Sequence, residues 1–389
     1  MEITTETLVV VAAVAAAAPL LADLTPRILV PIVVLEMVLG ILIGPELLGL
    51  AEPEPLIEAL ATFGLAFLFF LAGLEIEFER LVGRPARLGI TGWGVSLVLG
   101  IGIATALWAA GAVDAPVLVG LALTTTALGT LMPILRDSGI LRERFGSYVL
   151  GVGSVGELGP VVAVSLLLSF EAGEAWRSSL LIVFGAVAVL AAATAIRVRP
   201  ARIVRVVRET MLTSGQFAIR LALLVIVALV VLAADLGLDI VLGAFTAGIV
   251  VGLVTRGTDS RAFEAKLDAI GFGFLIPIFF IHTGMTFDVD SLAEPATLAM
   301  LAGFAALLLV VRGLPALLLY RRDLSATERR PLALLSAAGL PLIVAITEIG
   351  TEVGVMPEQE AVALVGAGML SVLVYPILAL ALRRRAAVG

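Results

Sequence analysis

The 389-residue chain contains no cysteine. Disulfides, thiol nucleophiles and thiolate metal sites are therefore excluded. Its single histidine, His282, rules out a multi-histidine metal centre. Charge is also scarce: 15% of residues are charged, where soluble domains carry about 25%. No nucleophile–base set or metal cluster is legible, so neither an enzyme nor a cofactor is expected. The opening residues "MEITTE" are acidic, unlike the basic start of a cleaved signal peptide. What the chain has is apolar sequence, 60% of it, against roughly 45–50% in soluble domains. Many apolar runs reach the ~20 residues that cross a bilayer. The expected fold class is an all-α polytopic membrane protein.

Thirteen spanning segments are expected, at 6–24, 27–44, 57–74, 88–111, 115–136, 147–170, 176–197, 219–235, 238–254, 270–287, 295–320, 331–352 and 360–382. Cytoplasmic loops collect Lys and Arg. With the N-terminus outside and the C-terminus cytoplasmic, 23 of the 25 basic residues fall in inner loops. One missed segment would scramble that sorting. Arg177 falls outside and Arg312 falls within a span. The stretch "ARIVRVVRE" spaces Arg202, Arg205 and Arg208 three apart. It reads either as a basic helix on the inner membrane face or as an ordinary positive-inside loop.

Thirteen splits as six, one and six. The division is 1–174 for a first repeat, 175–218 for a linker helix and basic loop, and 219–389 for a second repeat, with no soluble regulatory domain. An offset of seven, an odd number, gives the halves opposite orientation. "VLGILIGPELLG" in segment two matches "VLGAFTAGIVVG" in segment nine. "FFLAGLEIE" in segment three matches "FFIHTGMTFD" in segment ten. Inverted repeats of this kind accompany secondary transport around a midplane site built from broken helices. Segments five and twelve, again seven apart, carry the expected breaks: Thr124, Thr125 and Thr126 in one, Ala338, Gly339, Leu340 and Pro341 in the other.

"GVGSVGELGP" (151–160) contains a G-x-G-x-x-G pattern. A dinucleotide turn needs a strand before it and a βαβ unit around it. Here the glycines lie inside a span, where they permit close helix packing. Neither nucleotide nor nucleic acid is an expected partner. Glu157 then sits near mid-membrane, where an ionisable group is a functional candidate by default. Glu157, Thr125, Thr126 and Ser154 form the expected ion- and proton-binding set, with Arg312 as counter-charge. A purely structural Glu157–Arg312 pair is the competing reading. Glu36, His282 and Glu348 are secondary candidates: Glu36 is intramembrane, and the other two lie near outer helix ends.

Several stretches resemble the monovalent cation:proton antiporters, in the branch of bacterial sodium/proton antiporters and glutathione-gated potassium efflux systems. They are "VVLEMVLGILIGPELLG", "FLFFLAGLEIE", "IPIFFIHTGMTFD", "LALTTTALGTLMPILRDSGILRERFGSYVLG" and "SVGELGPVV". The resemblance covers essentially the whole chain. It implies two crossed broken helices in a core domain that moves against a dimerisation domain. It further implies a homodimer in a prokaryotic inner membrane and exchange of Na⁺ or K⁺ for H⁺. Glu157 takes the place of the family's ion-binding aspartate, and Arg312 that of the basic residue opposite it. Two departures stand out. Gly156-Glu157 replaces the Asp-Asp pair of many relatives. Ala337 to Pro341 replaces a polar Ser-Gln-Gly-Glu-like stretch. A single titrating carboxylate implies electroneutral exchange. The competing readings are transport of another solute, such as an organic anion held by Arg312, and a channel or silent relative.

Overall fold

The computed structural model describes residues 5–24, 31–74, 83–171, 216–235, 240–255 and 260–388. Among these residues the fold is all helix, with no strand. The helices are α1 (Thr5–Leu24), α2 (Ile32–Ile43), α3 (Pro55–Leu74), α4 (Arg84–Ala109), α5 (Pro116–Ala122), α6 (Leu128–Asp137) and α7 (Arg144–Glu171). They continue as α8 (Phe217–Asp235), α9 (Ile240–Thr255), α10 (Ser260–Ile270), α11 (Ile276–Met285), α12 (Val289–Ala293), α13 (Pro295–Leu308) and α14 (Leu314–Leu319). The last three are α15 (Ala326–Ser336), α16 (Pro341–Glu352) and α17 (Glu358–Val388). Each expected segment but the seventh coincides with one of these helices or a consecutive pair. Segment seven (176–197) and the basic stretch at 201–209 lie outside the described residues, so thirteen is still an expectation.

Eight of the described helical stretches are long and apolar enough to cross a membrane, and three shorter apolar helices accompany them. Segment ten begins earlier than expected. Ser260–Ile270 is helical and runs into Ile276–Met285 through a π turn, Gly271–Leu275. Its charges hid it from a hydropathy reading, but Phe263 and Leu267, four apart, are both buried. A second π turn, Leu309–Gly313, joins α13 to α14. In both places a proline, Pro277 or Pro315, follows the turn by two residues. A proline cannot donate to the carbonyl four residues back, and a local π turn is one way to accommodate that loss.

The chain forms two compact units. Each takes helices from both expected halves, so packing unit and sequence repeat are different divisions. One unit contains α3, α8, α9 and α10, with most of α11. Glycines set its closest approach. A Cβ on Gly248 of α9 would lie 2.0 Å from the Phe70 carbonyl oxygen of α3, and one on Gly73 would lie 2.2 Å from that of Phe245. The two backbones therefore touch, as small residues allow between membrane helices.

The other unit contains α2, α4, α5, α6, α7 up to Pro160, and α12 to α17. Its centre is the α15–α16 pair, whose apolar window is 89% buried, whereas that of α4 is 22% buried. At one end Arg84 ties α4 to Asp323, through Nε and through a 3.0 Å bond from Nη2. Tyr148 of α7 donates to the same carboxylate at 3.2 Å. The Arg84 bond is the main reason the Asp323 carboxyl is held below its ordinary value. Its stabilising contribution is thus present at neutral pH and lost as pH falls through that lowered value. At the other end Glu360 of α17 accepts the backbone N–H groups of Asp114 and Ala115, fixing the entry to α5.

Gly248→Ala forces α3 and α9 apart and lowers stability by about 1–3 kcal/mol, the usual cost of overpacking. Thermal unfolding of purified protein checks this; an unchanged midpoint would mean the close approach does not exist.

Candidate functional site

Two breaks meet inside the second unit. Helix α5 stops at Ala122 and α6 starts at Leu128; α15 stops at Ser336 and α16 starts at Pro341. Thr124, Thr125 and Thr126 fall in the first gap, and Ala338, Gly339 and Leu340 in the second, with Pro341 as the first residue of α16. Thr124, Thr125 and Thr126 are all fully buried. A break buried in apolar surroundings frees backbone groups that must be paired, or each costs several kcal/mol. The pairing is traceable. The Thr124 and Thr125 hydroxyls donate to the carbonyls of Leu121 and Ala122, at 2.7 and 2.8 Å. The two gaps then bond each other: Ala127 N–H donates to the Ala338 carbonyl at 2.8 Å. Gly339 N–H donates to Ser371 Oγ at 3.1 Å. A Cβ on Gly339 would lie 2.6 Å from Thr125 Oγ1. Only glycine lets the two non-helical segments pass this closely.

Helix α7 supplies the remaining acceptor. Pro160 lies inside it and has no N–H, so the carbonyl four residues back, that of Gly156, loses its helical donor. Thr126 N–H fills the position at 2.9 Å. The break in α5–α6 is thereby fastened to α7 one residue before Glu157. The pattern repeats in α14. Pro315 cannot donate to Val311, and Ser96 Oγ of α4 donates to that carbonyl at 2.8 Å.

Arg312 lies in the π turn and is 3% exposed. Its Nε donates to Thr126 Oγ1 at 3.1 Å and to the Ser336 carbonyl at 3.2 Å. Its Nη2 donates to Thr126 Oγ1 at 2.7 Å and to the Val152 carbonyl at 3.3 Å, and its Nη1 to Ser96 Oγ at 3.4 Å. Thr126 Oγ1 in turn donates to the Ser336 carbonyl at 2.5 Å. Each of these acceptors is neutral. Ser336 ends α15, so the guanidinium also sits at the negative end of a helix dipole. A Cβ on Gly156 would lie 2.3 Å from Arg312 Nη2 and 2.5 Å from Thr126 Oγ1. The glycine before Glu157 is therefore required by the arginine that packs over it.

Glu157 itself is half-buried on α7, as is Ser154. At 3.6 residues per turn it projects about 100° round the helix from Gly156, whose own direction faces Arg312. The structure thus brings Thr125, Thr126, Arg312 and the Gly156–Glu157 backbone together. Glu36 is buried on α2, away from the crossing in sequence. His282 on α11 and Glu348 on α16 are half-buried. Four participants carried too little signal to be singled out in the sequence: Ser96, Ser336, Ser371 and Pro160. A serine or proline in an apolar run marks a kink as readily as a site. Ser336 had the best clue, since it directly precedes "AAGLP".

Two substitutions test this arrangement. Thr126→Val removes the hydroxyl that Arg312 and the Ser336 carbonyl share; a loss of about 2–3 kcal/mol is expected, with Thr126→Ser retaining most of it, measured by denaturant unfolding. Pro160→Ala returns a helical donor to the Gly156 carbonyl. Amide exchange over 123–127 then quickens while exchange in α7 slows. Unaltered exchange at 123–127 would show that the Thr126 N–H does not depend on the freed carbonyl.

Residues 10–381 match the family described as sodium/hydrogen exchanger, transmembrane. The chain is similar to a putative Na⁺/H⁺ antiporter, YjbQ, of Bacillus subtilis, with 27% identity over 92% of this chain and 61% of that protein. It therefore spans about three fifths of that relative's length. It is also similar to the Na⁺/H⁺-K⁺ antiporter GerN of Bacillus cereus, with 26% identity over 70% of this chain and 69% of the relative. Among solved structures, the sodium proton antiporter MjNhaP1 of Methanocaldococcus jannaschii aligns over 98% of this chain and 96% of its own. The TM-score is 0.65 and the identity 15%, so the likeness is one of fold. With a family match running nearly end to end and a shared fold, the chain belongs to the transmembrane sodium/hydrogen exchanger family.

Proposed function

We propose that the protein exchanges a monovalent cation, Na⁺ or K⁺, for H⁺ by alternating access, with Glu157 as the shared site. One observation carries the reading: a half-buried carboxylate lies on the helix to which a crossing of two broken helices is bonded. Broken helices at midplane present dipole ends and free carbonyls to a small ion. The Thr125 hydroxyl and Ser154 add oxygens at the crossing or close to Glu157 in the chain, while Thr126 Oγ1, which accepts from Arg312 twice, holds the arginine instead. The relatives named as Na⁺/H⁺ and Na⁺/H⁺-K⁺ antiporters support the same substrates.

Arg312 then acts as a fixed positive charge that Glu157 feels, held in place by Thr126, Ser96 and two carbonyls. An organic anion at Arg312 is disfavoured, because these neutral groups already occupy most of its donors. A side chain in place of Gly156 would collide with Arg312, so the second acid found in many relatives has no room here. A single carboxylate that trades one proton for one cation makes exchange electroneutral. The positive-inside sorting supports an N-terminus outside and a C-terminus in the cytoplasm, and the resemblance supports a prokaryotic inner membrane. The resemblance supports a homodimer.

The test uses liposomes containing purified protein and an internal pH dye, with membrane voltage clamped to zero. Na⁺ or K⁺ added outside drives proton flux in the wild type, and Glu157→Gln abolishes it. An imposed membrane potential at zero ion gradient drives no exchange. Wild-type flux that survives Glu157→Gln would move the site elsewhere, and voltage-driven flux would exclude one-for-one exchange.

A further inference from the structure

Beside Arg312 the second unit has a small, partly open cavity. Trp93 of α4, Arg312 and Tyr320 line it, with Gly92 and Pro315 on its walls. About 10 Å³ of it is open to the centre of a water-sized particle, close to the ~10–15 Å³ that one ordered water needs. Two of the lining side chains bring buried polar atoms without a hydrogen-bond partner: Trp93 Nε1 and Tyr320 Oη. Tyr320 is 1% exposed. The third brings a spare donor. A guanidinium has five N–H groups, and the bonds to Ser96, Thr126, Val152 and Ser336 use Nε, Nη2 and one side of Nη1.

The geometry points to a built site for a single water molecule that joins Arg312, Trp93 and Tyr320. The indole N–H and the guanidinium can only donate, and a water offers two acceptor positions for them. The water's own proton goes to Tyr320 Oη, which accepts as well as donates. Three polar partners is the usual number for a buried water. A cation is excluded by the adjacent guanidinium. The site also has a direction. The Tyr320 ring stands edge-on to that of Tyr148, with centroids 6.0 Å apart. Tyr148 in turn donates to Asp323 at the end of the unit. Bound water therefore links the buried arginine to the layer that leads out to Arg84 and Asp323. It also completes the pairing of Arg312 by neutral groups.

A double-mutant cycle on the full-length protein tests this: Trp93→Phe, Tyr320→Phe and both together, compared by thermal unfolding midpoint. With the water present, each single change removes a partner and lowers the midpoint by about 2–4 °C. The double change costs clearly less than the sum, because the second Phe acts on a site already impaired. If the cavity is dry, Tyr320→Phe, which removes only an unpaired hydroxyl, leaves the midpoint unchanged or raises it, which overturns the proposal. Losses that simply add also overturn it, since they report separate packing defects. Repeating the cycle with gluconate in place of chloride separates water from a halide: coupling that persists supports water, and coupling that disappears rejects it.

Discussion

Pairing the backbone groups that two broken helices set free is the constraint on which the second unit turns. In an apolar medium no solvent is available to take them. The chain instead routes them to each other and to its neighbours. Ala127 bonds Ala338, Thr126 bonds the carbonyl that Pro160 releases from α7, and Gly339 bonds Ser371. Each link ties a gap to an intact helix. The crossing is therefore a bonded junction of α5, α6, α7, α15, α16 and α17, although two of its segments are not helical.

Arg312 reinforces the same junction. Its five bonds reach the first gap, the end of α15, the α7 backbone and α4. A lysine could not span these points, because an ammonium is compact while a guanidinium is a planar fork. The arrangement also separates two tasks. Neutral groups anchor the positive charge, so holding the arginine in position does not require Glu157 to stay permanently ionised. That division suits a carboxylate which, in the proposed cycle, must be released from each ion in turn.

The prolines and glycines near the site have complementary uses. Pro160 and Pro315 each strip a donor from a helix and leave a carbonyl for a partner, the Thr126 amide in one case and the Ser96 hydroxyl in the other. Gly156 and Gly339 clear the space through which those partners approach. Changing one of them would disturb two elements at once.

The sequence alone determined the membrane class, most segment positions, both breaks and the candidacy of Glu157. These follow from hydropathy, charge sorting and the rarity of an acid or an interrupted helix at midplane, all of which are local in sequence. Arg312 was legible for the same reason. Apart from Thr126, its partners were not. Ser96, Val152 and Ser336 lie 216, 160 and 24 residues away, and no spacing rule links them. The early start of the tenth segment was hidden because an amphipathic turn lowers mean hydropathy. Gly156 read as a packing glycine, and Pro160 as one more residue in an apolar run. Only the tertiary structure decided that one makes room for a guanidinium and the other frees a carbonyl, because both roles depend on which helix lies alongside.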